Sequence, residues 1–122
     1  MRIWTVAEAN AALPRVRAVV ERVRAVAEAA REQAGSVHGQ ARGNGHAPAG
    51  DLRAELAEAL DELARDDIVL RDLDSGLVDF PAVSVSGRRY WLCWVAGEPE
   101  VAWWHWPEDG FAGRRPLADP PG

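Results

Sequence analysis

The sequence predicts an α+β fold, in which a long antiparallel helical hairpin packs on one face of a three- to four-stranded antiparallel β-meander. Apolar residues recur every three or four positions in two stretches that a glycine-rich segment separates. From Ile68 the apolar period changes to two, which is typical of strands. We therefore predict one domain over residues 1–122, with the hairpin at 5–67, the meander at 68–106 and a tail at 107–122.

The composition is that of a soluble globular chain, with 48% hydrophobic and 27% charged residues. The net charge is −5 and neither half of the chain is basic, so nucleic-acid binding is disfavoured. No secretory leader and no apolar run long enough to span a bilayer is visible, which predicts a cytoplasmic protein without a membrane partner. The single cysteine cannot form an intramolecular disulfide, so the fold needs no oxidising compartment.

The first helix is predicted to begin at a capping box. Thr5 can accept a hydrogen bond from the Glu8 backbone N–H, while the Glu8 carboxylate accepts one from Thr5. The residues that follow form an apolar seam with alternating spacings of three and four: Val6, Ala9, Leu13, Val16, Val20, Val23, Ala27 and Ala30. A second helix is predicted from its N-cap Asp51 to about Asp67.

Between the helices, residues 35–50 are rich in glycine and predict a flexible surface loop. His38 and His46 lie in this loop, and two histidines can bind a metal ion. The loop contains no cysteine or carboxylate that would complete a coordination shell, so a solvated linker is the favoured interpretation.

Four strands are predicted over residues 68–72, 77–85, 88–95 and 100–106. If Ser86-Gly87 is a two-residue turn, Val85 faces Arg88, and a four-residue turn at 96–99 sets Val95 opposite Glu100. Alternation along the strands then places one set of side chains on one face: Asp79, Pro81, Val83, Tyr90, Leu92, Trp94, Val101, Trp103 and His105. The other face holds Phe80, Ala82, Trp91, Cys93, Val95, Ala102, Trp104 and Trp106.

Both predicted faces of the sheet are apolar, yet the helical hairpin can cover only one of them. A bare face with several tryptophans would exceed the apolar patch that monomers tolerate. The second face must therefore be covered by the tail, by a partner subunit or by a ligand. We predict a homodimer, formed through the uncovered sheet face or through the Val/Ala seam of the first helix.

Six short segments of the chain are distinctive: TVAEANAALP at 5–14, GLVDFP at 76–81, YWLCW at 90–94, Gly97-Glu98, Trp103-Trp-His105 and GFAGR at 110–114. Together they resemble the bacterial domain-of-unknown-function family 2203. The resemblance covers nearly the whole chain apart from the glycine-rich loop and the last few residues. It implies a small bacterial protein and brings no established activity and no catalytic residues.

His105 is the first candidate for a functional residue, because Glu108 and Asp109 follow it and could join it in metal binding or proton transfer. The alternative is a partly buried histidine that bonds a tail carboxylate or carbonyl. Asp79 stands on an otherwise apolar strand, where a carboxylate needs either an arginine or a ligand as its partner. The predicted register sets Asp79 and His105 two strands and four residues apart, too far for shared ligation.

Other side chains of this region are weighed against a structural role. Glu98 is a ligand-binding candidate or only a turn residue. Tyr90, Trp94 and Trp103 form a stacking platform for a ligand, or belong to the core or an interface. Cys93 lies mid-strand and is interpreted as an inert buried thiol.

The tail is predicted to turn at Asp109-Gly110 and to bring Phe111 and Arg114 back over the sheet. Phe111 should then be buried in the aromatic cluster and should hold Arg114 near a tryptophan or a carboxylate, with Asp79 as the first-choice partner. The resulting groove, bounded by sheet tryptophans, His105 and this return, is either a ligand site or a structural clasp for the C-terminus.

Two function hypotheses follow from these residues. The leading one is a non-enzymatic binding or protein-interaction module that uses the tryptophan-rich sheet, with a protein or small-molecule partner. The alternative is a small metal-dependent or acid/base enzyme built on His105 and nearby carboxylates. No phosphate loop, zinc-ligand spacing, serine elbow or dinucleotide fingerprint is present, so no cofactor and no metal is predicted and catalytic residues remain unknown.

Overall fold

The computed structural model describes residues 1–35 and 49–122, and the predicted α+β fold is confirmed. Two helices, α1 and α2, span Val6–Gly35 and Ala49–Ala64. Five strands follow in chain order: β1 Val69–Asp72, β2 Leu77–Val83, β3 Arg89–Val95, β4 Trp103–His105 and β5 Arg115–Pro116. His38 and His46 lie outside the described residues, as does nearly all of the predicted glycine-rich loop.

The strands form one sheet in the order β1-β2-β3-β4-β5, and every neighbouring pair is antiparallel. Three or four strands were predicted, and the fifth comes from the tail. Gly110 has a φ of 64°, in the left-handed region that favours glycine, and the chain reverses there. A short 3-10 turn at Phe111–Gly113 follows, and β5 then pairs with β4. The predicted return of the tail is therefore an added edge strand.

Helix α1 begins at the predicted capping box. The Thr5 N–H donates to Glu8 Oε1 over 3.0 Å, and the Glu8 N–H donates to Thr5 Oγ1 over 3.1 Å. Farther along the helix, Asn10 accepts from the Val101 N–H over 2.7 Å and donates to the Val101 carbonyl over 3.3 Å. These two bonds tie the helix to the chain that leads into β4.

The β2–β3 register differs from the predicted one by one residue. Val83 lies opposite Arg89, and Asp79 lies opposite Cys93. The Ser84 N–H donates to the Arg88 carbonyl over 2.8 Å, which closes a three-residue loop that contains Gly87 with a φ of 88°. A three-residue loop with glycine in the left-handed region is a common hairpin connection, and the two-residue turn was wrong.

The β3–β4 register also differs from the prediction, since Trp91 lies opposite His105 and Cys93 opposite Trp103. A slip of one residue moves every side chain of a strand to the opposite face. The predicted assignment of β3 was therefore wrong throughout. Tyr90, Leu92 and Trp94 face the helices, whereas the intervening β3 side chains share a face with Asp79 and His105.

We call the face that packs on the helices the inner face and the opposite one the outer face. The inner face and the helices share one hydrophobic core, which contains Ala9, Leu13, Val16, Val20, Ala59, Leu63, Val78, Phe80, Leu92, Trp94 and Trp104. Neither helix in the described ranges combines the length and apolar character needed to cross a membrane. The tail lies against part of the outer face, where it shapes the candidate site.

Candidate functional site

Three side chains from three adjacent strands meet on the outer face and form what we call the polar cluster: Asp79 of β2, Cys93 of β3 and His105 of β4. A carboxylate oxygen, the thiol sulfur and a ring nitrogen all lie within 4.8 Å of one another. The exposed fractions of the three residues are only 1%, 0% and 5%. The prediction that Asp79 and His105 lie too far apart was wrong. The true register halves their offset along the strands from four residues to two.

Both ring nitrogens of His105 are engaged. Nδ1 lies 2.8 Å from the Trp106 carbonyl oxygen, and Nε2 lies 3.0 Å from Asp79 Oδ2. A carbonyl can only accept, so Nδ1 carries a proton, and a carboxylate at Asp79 then requires a second N–H at Nε2. Burial alone would lower the pKa of His105, but the Asp79 hydrogen bond, the Trp106 carbonyl and the Asp79 charge outweigh burial and raise it. Both contacts therefore favour the charged form of the His105 ring over the neutral one.

Asp79 is held by a residue that the sequence did not single out. Arg71 Nε donates to Asp79 Oδ2 over 3.0 Å, and the Arg71 guanidinium lies 4.7 Å from the Trp91 ring centroid. The β1–β2 register shifts between Leu70 and Asp72, and such bulges re-aim the side chain at the irregularity. The other oxygen, Asp79 Oδ1, is buried without a hydrogen-bond partner among the described residues.

Cys93 is a buried thiol, in agreement with the sequence interpretation. Burial, followed by the Asp79 charge, raises the pKa of Cys93 to about 12, although nearby Arg114 acts in the opposite direction. A thiol with this pKa is protonated at neutral pH and is a poor nucleophile. The buried environment of Cys93 therefore does not favour its use as a nucleophile.

Arg114 forms an ion pair with Glu98 and not with Asp79, so the first-choice partner was wrong. Arg114 Nη2 donates to Glu98 Oε1 over 2.7 Å, and the same oxygen accepts from the Val95 N–H over 2.8 Å. The Arg114 guanidinium also lies 4.9 Å from the Trp103 ring centroid. The tail returns beside β4, near the β3–β4 turn that carries Glu98, while Arg71 and His105 already occupy Asp79.

A cleft of about 290 Å³ opens over the polar cluster, and we call it the outer cleft. Its lining comes from the sheet and the tail: Arg71, Leu77, Asp79, Trp91, His105, Pro107, Gly110 and Phe111. Its lining shares His105, Phe111 and a sheet tryptophan with the predicted groove, but Arg114 is not part of it. Phe111 is 52% exposed and forms part of the cleft wall, so its predicted burial in the aromatic cluster was wrong.

Two predicted ligand-binding candidates lie on the wrong side of the sheet for the outer cleft. Tyr90 and Trp94 are buried on the inner face, where Trp94 Nε1 donates to the Glu98 carbonyl over 3.0 Å. Trp103 is on the outer face under Arg114, with Glu98 beside it. The structure therefore brings His105 and Asp79 together at the cleft and sets Trp103, Glu98 and Arg114 next to it as a clasp.

Two other cavities lined by described residues are larger than the outer cleft, and the larger of the two is also lined by charged side chains. A groove of about 330 Å³ between the helices is lined mainly by apolar side chains such as Val26 and Leu52. A cavity of about 380 Å³ lies between α1 and the β3–β4 turn, and its Arg17 and Arg24 donate to backbone carbonyls. Neither contains a buried ionisable cluster, so volume alone does not select the site.

The family comparison agrees with the resemblance seen in the sequence. The model of the family described as uncharacterized conserved protein (DUF2203) matches residues 2–117. This range includes every residue of the polar cluster and of the outer cleft. Neither a curated protein nor a solved structure gives a significant match to the chain.

Proposed function

We propose that this chain, which belongs to the DUF2203 family, is a small-molecule binding protein. Membership of the family fixes no activity, so the proposal rests on the geometry of the site. The ligand would lie in the outer cleft. The observation that carries this proposal is Arg71, whose charge is positioned by a buried carboxylate and whose Nη nitrogens have no hydrogen-bond partner among the described residues. A binding module was also the leading hypothesis from the sequence.

Arg71 supplies a fixed positive charge at the wall of the cleft. Its Nε is bound to Asp79, and no hydrogen-bond partner for Nη1 or Nη2 is found in residues 1–35 and 49–122. The two Nη groups of a guanidinium bind the two oxygens of a carboxylate in a parallel pair. An arginine that is already oriented loses less side-chain entropy on binding, which favours affinity.

The apolar walls favour a flat group on the same ligand. Trp91 lies under Arg71, and the half-exposed Phe111 and Leu77 complete the lining. Aromatic side chains bind planar groups by stacking or by edge contacts. A volume of about 290 Å³ is at the small end for ligand pockets. We therefore infer a small, flat molecule that carries a carboxylate.

An acid/base enzyme is the second candidate, because His105 lines the cleft and its pKa is raised. General acid or base catalysis requires a ring nitrogen within hydrogen-bond reach of the substrate. Both nitrogens of His105 are occupied by Asp79 and Trp106. Catalysis would require one of these bonds to open, whereas ligand binding at Arg71 requires no rearrangement.

A protein-interaction surface made of bare tryptophans has less support. Trp91 and Trp103 are both half-buried, and Arg71 and Arg114 stack on them. Tryptophan and arginine are both enriched at protein interfaces, so their presence alone does not decide between the two kinds of partner. The outer face holds a concave cleft, and a cleft suits a small ligand better than a flat protein partner.

The proposal is tested by calorimetric titration of metal-free protein with three probes of matched shape: benzoate, benzamide and benzamidine. We expect benzoate to bind most tightly and cationic benzamidine not to bind. Arg71→Met should weaken benzoate binding by roughly 10- to 100-fold, because a hydrogen bond to a charged group contributes about 1.5–3 kcal/mol. The matched control is Arg89→Met, which removes the same charge from β3 at a position outside the cleft lining.

A second variant separates binding from folding, since Arg71→Met also removes a bond to Asp79. Phe111→Ala keeps that bond. It removes an exposed cleft wall together with the contact of the ring with Arg114, whose guanidinium lies 5.0 Å from the ring centroid. It should weaken benzoate binding without a change in circular dichroism. Equal affinity for benzoate and benzamide, or unchanged benzoate affinity in both variants, would show that the proposal is wrong.

A further inference from the structure

The polar cluster contains a donor set that the proposed ligand site does not use. Asp79, Cys93 and His105 offer an oxygen, a sulfur and a nitrogen within 4.8 Å of one another. Binding of a carboxylate at Arg71 and Trp91 involves none of these three donor atoms. We propose that the cluster is a binding site for a transition-metal dication of the zinc class, independent of the small-molecule ligand.

The unpartnered carboxylate oxygen is the first reason. Asp79 is 1% exposed, and its Oδ1 has no hydrogen-bond partner among the described residues. A buried polar atom left unpaired costs about 1–3 kcal/mol, and more for a charged group. Natural structures rarely keep such an atom unless water, an ion or function accounts for it. A cation between Oδ1 and the neighbouring donors would satisfy it.

The outer hydrogen bonds are the second reason. A metal-ligating histidine almost always donates its other ring N–H to a carboxylate, a backbone carbonyl or water, and ligating carboxylates are themselves hydrogen-bonded. His105 Nδ1 is bound to the Trp106 carbonyl, which leaves Nε2 for the metal. Arg71 holds Asp79 Oδ2 and leaves Oδ1 free. Both potential ligands are therefore oriented by bonds that metal binding need not break.

The donor types select the class of metal. Thiolate and imidazole suit zinc and related ions, whereas magnesium and calcium prefer oxygen ligands only. Tetrahedral zinc bonds of about 2.0–2.3 Å set donors roughly 3.3–3.7 Å apart. The donor atoms of the cluster, within 4.8 Å of one another, would have to move closer by about 1 Å to reach this spacing. The hydrogen bond between His105 Nε2 and Asp79 Oδ2 would be replaced by the two metal bonds.

Metal binding would displace protons from the cluster. Metal ligands bind in their deprotonated forms, so the protons that leave offset part of the incoming positive charge. Three protein ligands leave a fourth position, which is the arrangement of zinc sites that bind water or another small ligand. Asp79 and His105 line the outer cleft, and the cleft gives the metal a path of entry.

Cobalt(II) is the probe that tests this site, because zinc has no visible spectrum. Metal-free protein titrated with Co²⁺ should bind one ion per chain and develop a thiolate-to-cobalt charge-transfer band in the near ultraviolet. Zn²⁺ should then displace the cobalt and abolish the band. Cys93→Ser should lose the band, and His105→Gln should weaken binding by at least about tenfold, the effect seen on removing an outer hydrogen-bond partner.

The control removes the histidines that lie outside the described residues. A His38→Ala/His46→Ala double variant should keep both the band and the stoichiometry. If wild-type protein shows no charge-transfer band, the proposal is wrong whether or not the variants fold. It is equally wrong if the band survives Cys93→Ser or disappears in the double variant. Benzoate binding is measured on metal-free protein, so a failure of the metal site leaves that result unaffected.

Discussion

Removing the Arg114 guanidinium should destabilise the fold by about 2–3 kcal/mol. Loss of one partner costs about 3–5 kcal/mol in a fully buried ion pair and about 0–1 kcal/mol on the surface. The Arg114 and Glu98 side chains are 13% and 25% exposed, so their pair lies between these limits. Loss of the stacking contact with Trp103 adds about 0.5–1 kcal/mol. Glu98 keeps its bond from the Val95 N–H, which limits the penalty.

Urea denaturation followed by tryptophan fluorescence and by circular dichroism would give the free energy of unfolding of Arg114→Ala. The matched control is Arg115→Ala, since Arg115 is the exposed neighbour and has no ion pair in the described part of the chain. This substitution should lower the free energy of unfolding by less than about 1 kcal/mol. A Glu98→Gln double-mutant cycle then isolates the pair. If Arg114→Ala costs no more than Arg115→Ala, the clasp is not a stabilising element. Retained benzoate affinity in Arg114→Ala would separate the clasp from the ligand site.

Three further predictions concern a glycine turn, a helix cap and the oligomeric state. Gly76→Ala should lower the free energy of unfolding by at least about 1 kcal/mol more than Gly87→Ala. Both glycines have a positive φ, at 72° and 88°, but only at Gly76 would the new Cβ lie 2.7 Å from Ala96 Cβ. Urea denaturation of both variants would check this difference, and equal costs would contradict the packing argument. Thr5→Ala should lose about 1 kcal/mol of unfolding free energy because the cap is removed, whereas Thr5→Ser should retain most of it. The homodimer remains a prediction, and light scattering that finds a monomer at all concentrations would remove it.

The helical part of the fold could be predicted because its signals are local. A capping box and an apolar seam depend only on spacing along the chain, and the structure confirms both. The start of α2 differs by only two residues from the predicted N-cap at Asp51. The existence of the strands was also predictable, because a change of apolar period is visible within a few residues.

The candidate site was harder to predict because it depends on register. Gly87 in the left-handed region makes a three-residue loop, whereas a two-residue turn was assumed, and the difference of one residue reverses β3. That reversal hid the meeting of Cys93 with Asp79. A Ser-Val-Ser-Gly segment is also compatible with the longer loop, so the sequence contained the signal. Arg71 was missed for a different reason, because it is an exposed residue of an edge strand and only its hydrogen bond to Asp79 distinguishes it.

Nuclear magnetic resonance of ¹⁵N-labelled protein during titration with benzoate would show directly where a small carboxylate binds. The Trp91 indole and the Gly110 amide signals should shift, because both residues line the outer cleft. The indole signals of the buried Trp94 and Trp104, which donate to the Glu98 and Asp119 carbonyls, should stay in place. Shifts confined to the helical groove near Val26 and Leu52, or no shifts at all, would contradict the claim that the outer cleft binds a small carboxylate.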